Sequence, residues 1–104
     1  MYLIREIMYC KPGKVRPLVD KFKVMSELSV KMGMPKMRIM TDFCAERYWT
    51  IVSEMEVADL NAFEQMMSSM PDSSSDDMKK MEEAMTGYHD LVDHGKREIY
   101  RIEA

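Results

Sequence analysis

Tyr2-Leu3-Ile4-Arg5-Glu6-Ile7-Met8-Tyr9, followed after Cys10 by Lys11-Pro12-Gly13-Lys14, is the stretch that decides the fold. Its residues are mostly β-branched, aromatic or apolar. Tyr2, Ile4 and Met8 fall on one face of a strand, and Leu3, Ile7 and Tyr9 fall on the other. Only Arg5 and Glu6 interrupt. A strand that is apolar on both faces must be covered on both, so the reading predicts helices on one side of a sheet and a second layer on the other. The Pro-Gly pair marks a turn out of the strand.

Helical periodicity follows the turn. Val15, Leu18, Val19, Phe22, Met25 and Met32 recur at spacings of three, four or seven, which predicts a helix from Lys14 to Met32 with Pro17 in its first turn and Gly33 as its stop. Lys36 to Cys44 alternates as a second strand. Ala45-Glu46-Arg47 reads as a short connection, and Tyr48 to Val57 as a third strand, with Trp49, Ile51 and Met55 on one face and Tyr48, Val52 and Glu54 on the other. So short a link predicts an antiparallel hairpin. Asp59 is an N-cap candidate for a helix ending near Met70. The run Pro71 to Asp77 breaks that helix, and Ser74 with Asp77 resembles a capping box for the next. The face Met78, Met81, Met85, Tyr88 and Val92 predicts a helix ending near His94 and Gly95, and Glu98 to Ile102 closes the chain as a fourth strand.

The order is β-α-β-β-α-β with the second helical region split in two. This is the ferredoxin-like α+β arrangement, an antiparallel four-stranded sheet with helices on one face, in a single domain over residues 1–104. A chain of this size buries only a modest core. The economical cover for the other sheet face is a second copy, making a twofold pair.

The opening strand and its Lys11-Pro12-Gly13-Lys14 turn resemble the start of NIPSNAP-type domains. These belong to the dimeric α+β barrel superfamily, which also holds the antibiotic biosynthesis monooxygenases. Trp49 to Val57 running into Asp59-Leu60, and Arg97-Glu98-Ile99-Tyr100, are similar to that superfamily's third and last strands. The resemblance spans nearly the whole chain, and it implies a homodimer. Because the superfamily includes cofactor-free oxygenases, haem-degrading enzymes and proteins with no assigned reaction, it does not itself imply an activity.

Composition narrows the function classes. The net charge is −3, and Lys79 and Lys80 sit among acids, so nothing draws the chain to nucleic acid or to an anionic membrane. No stretch is long and apolar enough to span a bilayer. There is no secretory leader, so the cytoplasm is the expected location. Cys10 and Cys44 end the first two strands, parallel and separated by the third, and are expected to stay reduced and unbonded. No phosphate loop, dinucleotide fingerprint or nucleophile elbow is present, and no cofactor is implied.

Three features carry candidate chemistry. His89-Asp90-Leu91-Val92-Asp93-His94, if helical, pairs His89 with Asp93 and Asp90 with His94. Each face then offers only two ligands where zinc needs three or four, so ordinary contacts near a helix end are the preferred reading and no metal is assigned. His89, at the edge of the Met-rich face, is the candidate catalytic base for a phenol or enol substrate. Trp49, Tyr48, Tyr88, Tyr100 and Met85 are the candidate ligand-binding residues, with a structural role for His89 as the simpler alternative. The 14 methionines follow core periodicity, so they are read as adaptable packing rather than copper ligands. Two functions follow: binding of a small apolar or aromatic molecule between helices and sheet without catalysis, or a cofactor-independent monooxygenase or isomerase.

The two-sided apolar strand gives the first prediction. Sedimentation at micromolar concentration is expected to show a dimer, and a stable monomer there contradicts it.

Overall fold

The computed structural model describes residues 1–31, 33–68 and 76–104. Its elements run β1 (Tyr2–Cys10), α1 (Val15–Lys31), β2 (Arg38–Thr41), β3 (Thr50–Val57), α2 (Leu60–Ser68), α3 (Asp76–Met85), a 3-10 turn (Tyr88–Asp90) and β4 (Val92–Arg101). The strands form one sheet in the order β2-β3-β1-β4, every neighbouring pair antiparallel. The ferredoxin-like α+β order read from the sequence is therefore present. Among the described residues, no helix is long and apolar enough to cross a membrane.

β1 and β3 are the two inner strands, and β1 has apolar residues to serve both faces. Its register sets Ile4 opposite Met55 on one side and Ile99 on the other. On the helix face, Cys10 and Ile51 pack with Leu18, Val19 and Phe22 of α1, while Ile4 and Val57 pack with Phe63 of α2. Ile4, Leu18 and Ile51 are fully buried, and each such side chain contributes roughly 1.5–3 kcal/mol of transfer free energy.

Local chemistry sets the helix ends. The Lys11-Pro12-Gly13-Lys14 turn closes with a hydrogen bond from the Lys14 N–H to the Lys11 carbonyl, 3.0 Å. At the end of α1, Gly33 takes φ 85°. The Gly33 and Met34 N–H groups donate to the carbonyls of Val30 and Ser29, satisfying acceptors the last turn leaves open. Asp59 caps α2 by accepting the Ala62 N–H at 2.6 Å. Lys21 of α1 donates to the carbonyls of Ala84 (3.2 Å) and Thr86 (2.6 Å), so it ties α1 to the C-terminus of α3, where a cation is favoured.

Three sequence expectations are corrected. The second strand ends at Thr41 rather than Cys44, and the third begins at Thr50 rather than Tyr48, so the connection runs from Asp42 to Trp49 instead of three residues. Asp42 causes this: its carboxylate accepts the Thr50 N–H (2.9 Å) while its own N–H donates to the Thr50 carbonyl (3.1 Å), which pinches the ladder shut early.

The second correction concerns the last helix, which ends at Met85 rather than His94. Gly87 turns to φ 83°, and the last strand starts at Val92 instead of Glu98. β1 is the reason. Its second edge needs a partner along its whole length, and residues 92–97 supply it, a demand that outweighs the local helical pattern. The expected helical pairs His89–Asp93 and Asp90–His94 are therefore not made on one helix.

The third correction concerns the sheet face away from the helices, which is not purely apolar. Leu3, Ile7, Met40 and Val52 share it with a charge network. Arg5 binds Glu54 at 2.7 Å, Arg38 lies 3.6 Å from Glu54, and Glu98 lies 3.9 Å from Arg5 and 3.8 Å from Lys96. The break from Pro71 to Ser75, the cap at Ser74 and the packing of Met32, Met66, Met67, Met70, Met78 and Met81 lie outside the described residues or side chains.

Leu18 sits where α1 meets the sheet with no exposed surface. Leu18→Ala is expected to cost about 2–5 kcal/mol of stability. Urea denaturation measures it, and a loss under about 1 kcal/mol contradicts the packing described.

Candidate functional site

The β2–β3 loop dominates the surface chemistry. Phe43, Tyr48 and Trp49 are all exposed on it. Trp49 adopts φ 61°, a left-handed conformation that costs a bulky residue on the order of 1–3 kcal/mol. Its carbonyl accepts the Cys10 N–H at 2.8 Å, so the strained residue is held by the end of β1.

Between this loop and the start of α1 runs a groove of about 430 Å³. Gly13, Val15 and Arg16 form one wall, and Thr41, Asp42, Tyr48 and Trp49 form the other. Val15 packs against the core cluster beneath, as do Met85 and Tyr88, so the groove is the mouth of the helix–sheet interface. Asp42 is already engaged with Thr50. Arg16 is exposed, with no ion-pair partner among the described residues.

The expected site residues do not converge on one pocket. Tyr48 and Trp49 line the groove, and Met85 and Tyr88 pack on the core cluster that Val15 also borders. His89 is exposed on the 3-10 turn, its ring centroid 3.9 Å from that of Tyr88. Tyr100 is opposite Leu3 near the start of β1, with Arg5 5.3 Å over its ring, while Trp49 meets the far end of that strand at Cys10. The register therefore separates Tyr100 from Trp49 by most of the length of β1.

Two further hollows lie along β2 and β3. One, about 460 Å³, is lined by Ile7, Met40, Val52 and the Arg5–Glu54 pair, with Phe43, Cys44 and Ala45 among its other lining residues. The other, about 550 Å³, runs past Leu3, Met37, Arg38 and Glu54. Glu54 is only 9% exposed, and two guanidinium groups answer its charge.

Two clusters escaped the sequence reading. The first is Arg5–Glu54–Arg38. The second joins the loop to β4: Arg47 Nη1 lies 3.0 Å from His94 Nε2, His94 Nδ1 lies 2.9 Å from Asp93 Oδ2, and Arg47 sits 4.5 Å over the Tyr9 ring. Each is assembled across strands, and only the register brings its members together. Among the described residues, no three His, Cys, Asp or Glu side chains gather into a metal-binding group.

The two thiols differ. Cys44 is exposed and Cys10 is buried, and neither is in a disulfide. Burial pushes the Cys10 thiol above its ordinary pKa, and the negative charge of Asp42 adds to the shift.

No protein-family profile matches the sequence, and no curated protein matches it significantly. Solved structures do match in shape. An uncharacterized NIPSNAP-like domain protein from Burkholderia xenovorans superposes with a TM-score of 0.73 at 8% identity, over 99% of this chain and 85% of that one. A NIPSNAP family protein from Agrobacterium tumefaciens gives 0.70 at 10% identity, over 96% and 90%. A dabb family protein with a ferredoxin-like fold from Mesorhizobium loti gives 0.57 at 16% identity, over 99% and 98%. The fold is that of the NIPSNAP-like domains. At these identities the likeness is one of fold and carries no activity with it.

The thiol environments predict selective chemistry. A thiol alkylating reagent at about neutral pH labels Cys44 and spares Cys10 until the protein unfolds. Peptide mass mapping reads the ratio, and equal labelling in the native protein contradicts the burial of Cys10.

Proposed function

We propose that this chain is a self-pairing α+β barrel protein that binds a small, flat, apolar or aromatic molecule in the groove between the first turn of α1 and the β2–β3 loop. The observation that carries the reading is Trp49. A large aromatic held in a left-handed conformation at the rim of a groove is a cost the fold sustains, and such strain concentrates at binding sites. Tyr48 and Trp49 offer flat walls, Val15 an apolar floor continuous with the core, and Arg16 a cation at the rim with no ion-pair partner among the described residues. That combination suits an aromatic ring, with or without an acidic substituent.

Pairing through the open sheet face supports the same reading. Among the described residues helices cover one face of the sheet, and the other mixes Leu3, Ile7, Met40 and Val52 with Arg5, Arg38 and Lys96 against Glu54, Glu56 and Glu98. A face with equal numbers of opposite charges meets a copy of itself without net repulsion. The oxygenase alternative draws no comparable support, since His89 is not among the residues lining the groove.

Calorimetric titration with 1-naphthoate and 1-naphthol tests the groove. Both probes are expected to bind saturably, and Trp49→Ala is expected to weaken them roughly tenfold, the loss of one aromatic wall. Arg16→Gln weakens only the naphthoate. Unchanged binding in Trp49→Ala, or no binding heat with either probe, overturns the reading.

A further inference from the structure

We infer that Arg47, His94 and Asp93 form a proton-operated latch that holds the β2–β3 loop down on the end of the sheet at neutral pH and releases it in acid. The argument starts from donors and acceptors. A guanidinium only donates, so His94 Nε2, 3.0 Å from Arg47 Nη1, must be the ring's acceptor. The ring proton is then on Nδ1, 2.9 Å from the Asp93 carboxylate that accepts it. The contact is thus built for a neutral imidazole. Adding a proton at Nε2 sets two cationic donors face to face at that distance, while Asp93 gains by pairing with the imidazolium.

The surroundings support a latch. Arg47 also lies 4.5 Å over the Tyr9 ring and 4.0 Å from Asp93, and the His94 ring lies 4.8 Å from Tyr9. The ionisable groups facing His94 are therefore Asp93 on its own strand, Arg47 from the loop and Tyr9 from β1, with Lys96 next along the same face and paired with Glu98. Of these, His94 is the group whose type changes charge between about pH 5 and pH 8. The Arg47 carbonyl accepts the Thr50 hydroxyl at 2.8 Å, so Arg47 is the last anchor before Tyr48 and Trp49. Losing the side-chain contact leaves the Arg47 and Trp49 carbonyls on Thr50 and Cys10 but removes the side-chain anchor beside Tyr48 and Trp49, whose rings form the aromatic wall of the groove. In that consequence the inference rests on the proposed ligand groove, while the latch itself does not.

Trp49 is the chain's only tryptophan, so its fluorescence reads the loop without any ligand. Going from about pH 8 to about pH 5, the acrylamide quenching constant is expected to rise only about twofold, because Trp49 as a residue is already 42% exposed with the loop docked. Far-UV circular dichroism checks that the fold persists. His94→Gln keeps an acceptor for Arg47 but takes no proton, and should stay at the low value throughout. Arg47→Ala should show the high value at both pH values, and His89→Gln should behave as the parent. A flat parent profile, an unaltered transition in His94→Gln, or a low value in Arg47→Ala at about pH 8 overturns the latch. Failure of the naphthoate titration alongside an intact Trp49 transition sinks the groove and leaves the latch standing.

Discussion

Everything in this fold hangs on β1 being paired along both edges at once. From Tyr2 to Tyr9 it runs against β3 on one side and β4 on the other. A buried central strand has backbone donors and acceptors on both edges, and none can be left open without a free-energy cost. That demand outranks the helical pattern around Val92 and draws residues 92–97 into β4. It also places His94 opposite Tyr9 and Arg97 beside Glu6. The two clusters that give the surface its chemistry are consequences of this register.

The sheet's two faces solve different problems. Toward the helices, Ile4, Ile51 and Val57 lose nearly all contact with water, and α1 and α2 supply the complementary apolar rows. Away from them, aliphatic side chains alternate with an ion network centred on Glu54. The charge of this little-exposed carboxylate is answered by Arg5 at 2.7 Å and Arg38 at 3.6 Å. The network therefore fixes the sheet's outer face as a patterned surface rather than a greasy one, and a patterned surface specifies its partner and its register more narrowly than an apolar one does.

The β2–β3 loop joins these themes. It begins where Asp42 pinches the hairpin, ends where Trp49 reaches Cys10, and is held in the middle by Arg47 on His94 and Tyr9. The same eight-residue span carries the exposed aromatics and the positive-φ residue. Cost and exposure are thus concentrated in one loop resting on the end of the sheet.

The sequence by itself determined the element order, the two-faced apolar strand Tyr2–Tyr9, the stop of α1 at Gly33, the cap at Asp59 and the apolar rows that face the helices. Those features depend on short-range chemistry: alternation of side chains, helical period, and the turn preferences of Pro, Gly and Asp. It also put Tyr48 and Trp49 forward as aromatic walls. Only the tertiary structure decided where β2 and β4 end and begin, that Tyr100 lies far from Trp49, and that Arg5 meets Glu54 and Arg47 meets His94. Those facts depend on which residue stands opposite which across a ladder, and a slip of one residue would exchange every side chain between the two faces. Periodicity reports that a strand has two faces; only the paired strand says what each face touches.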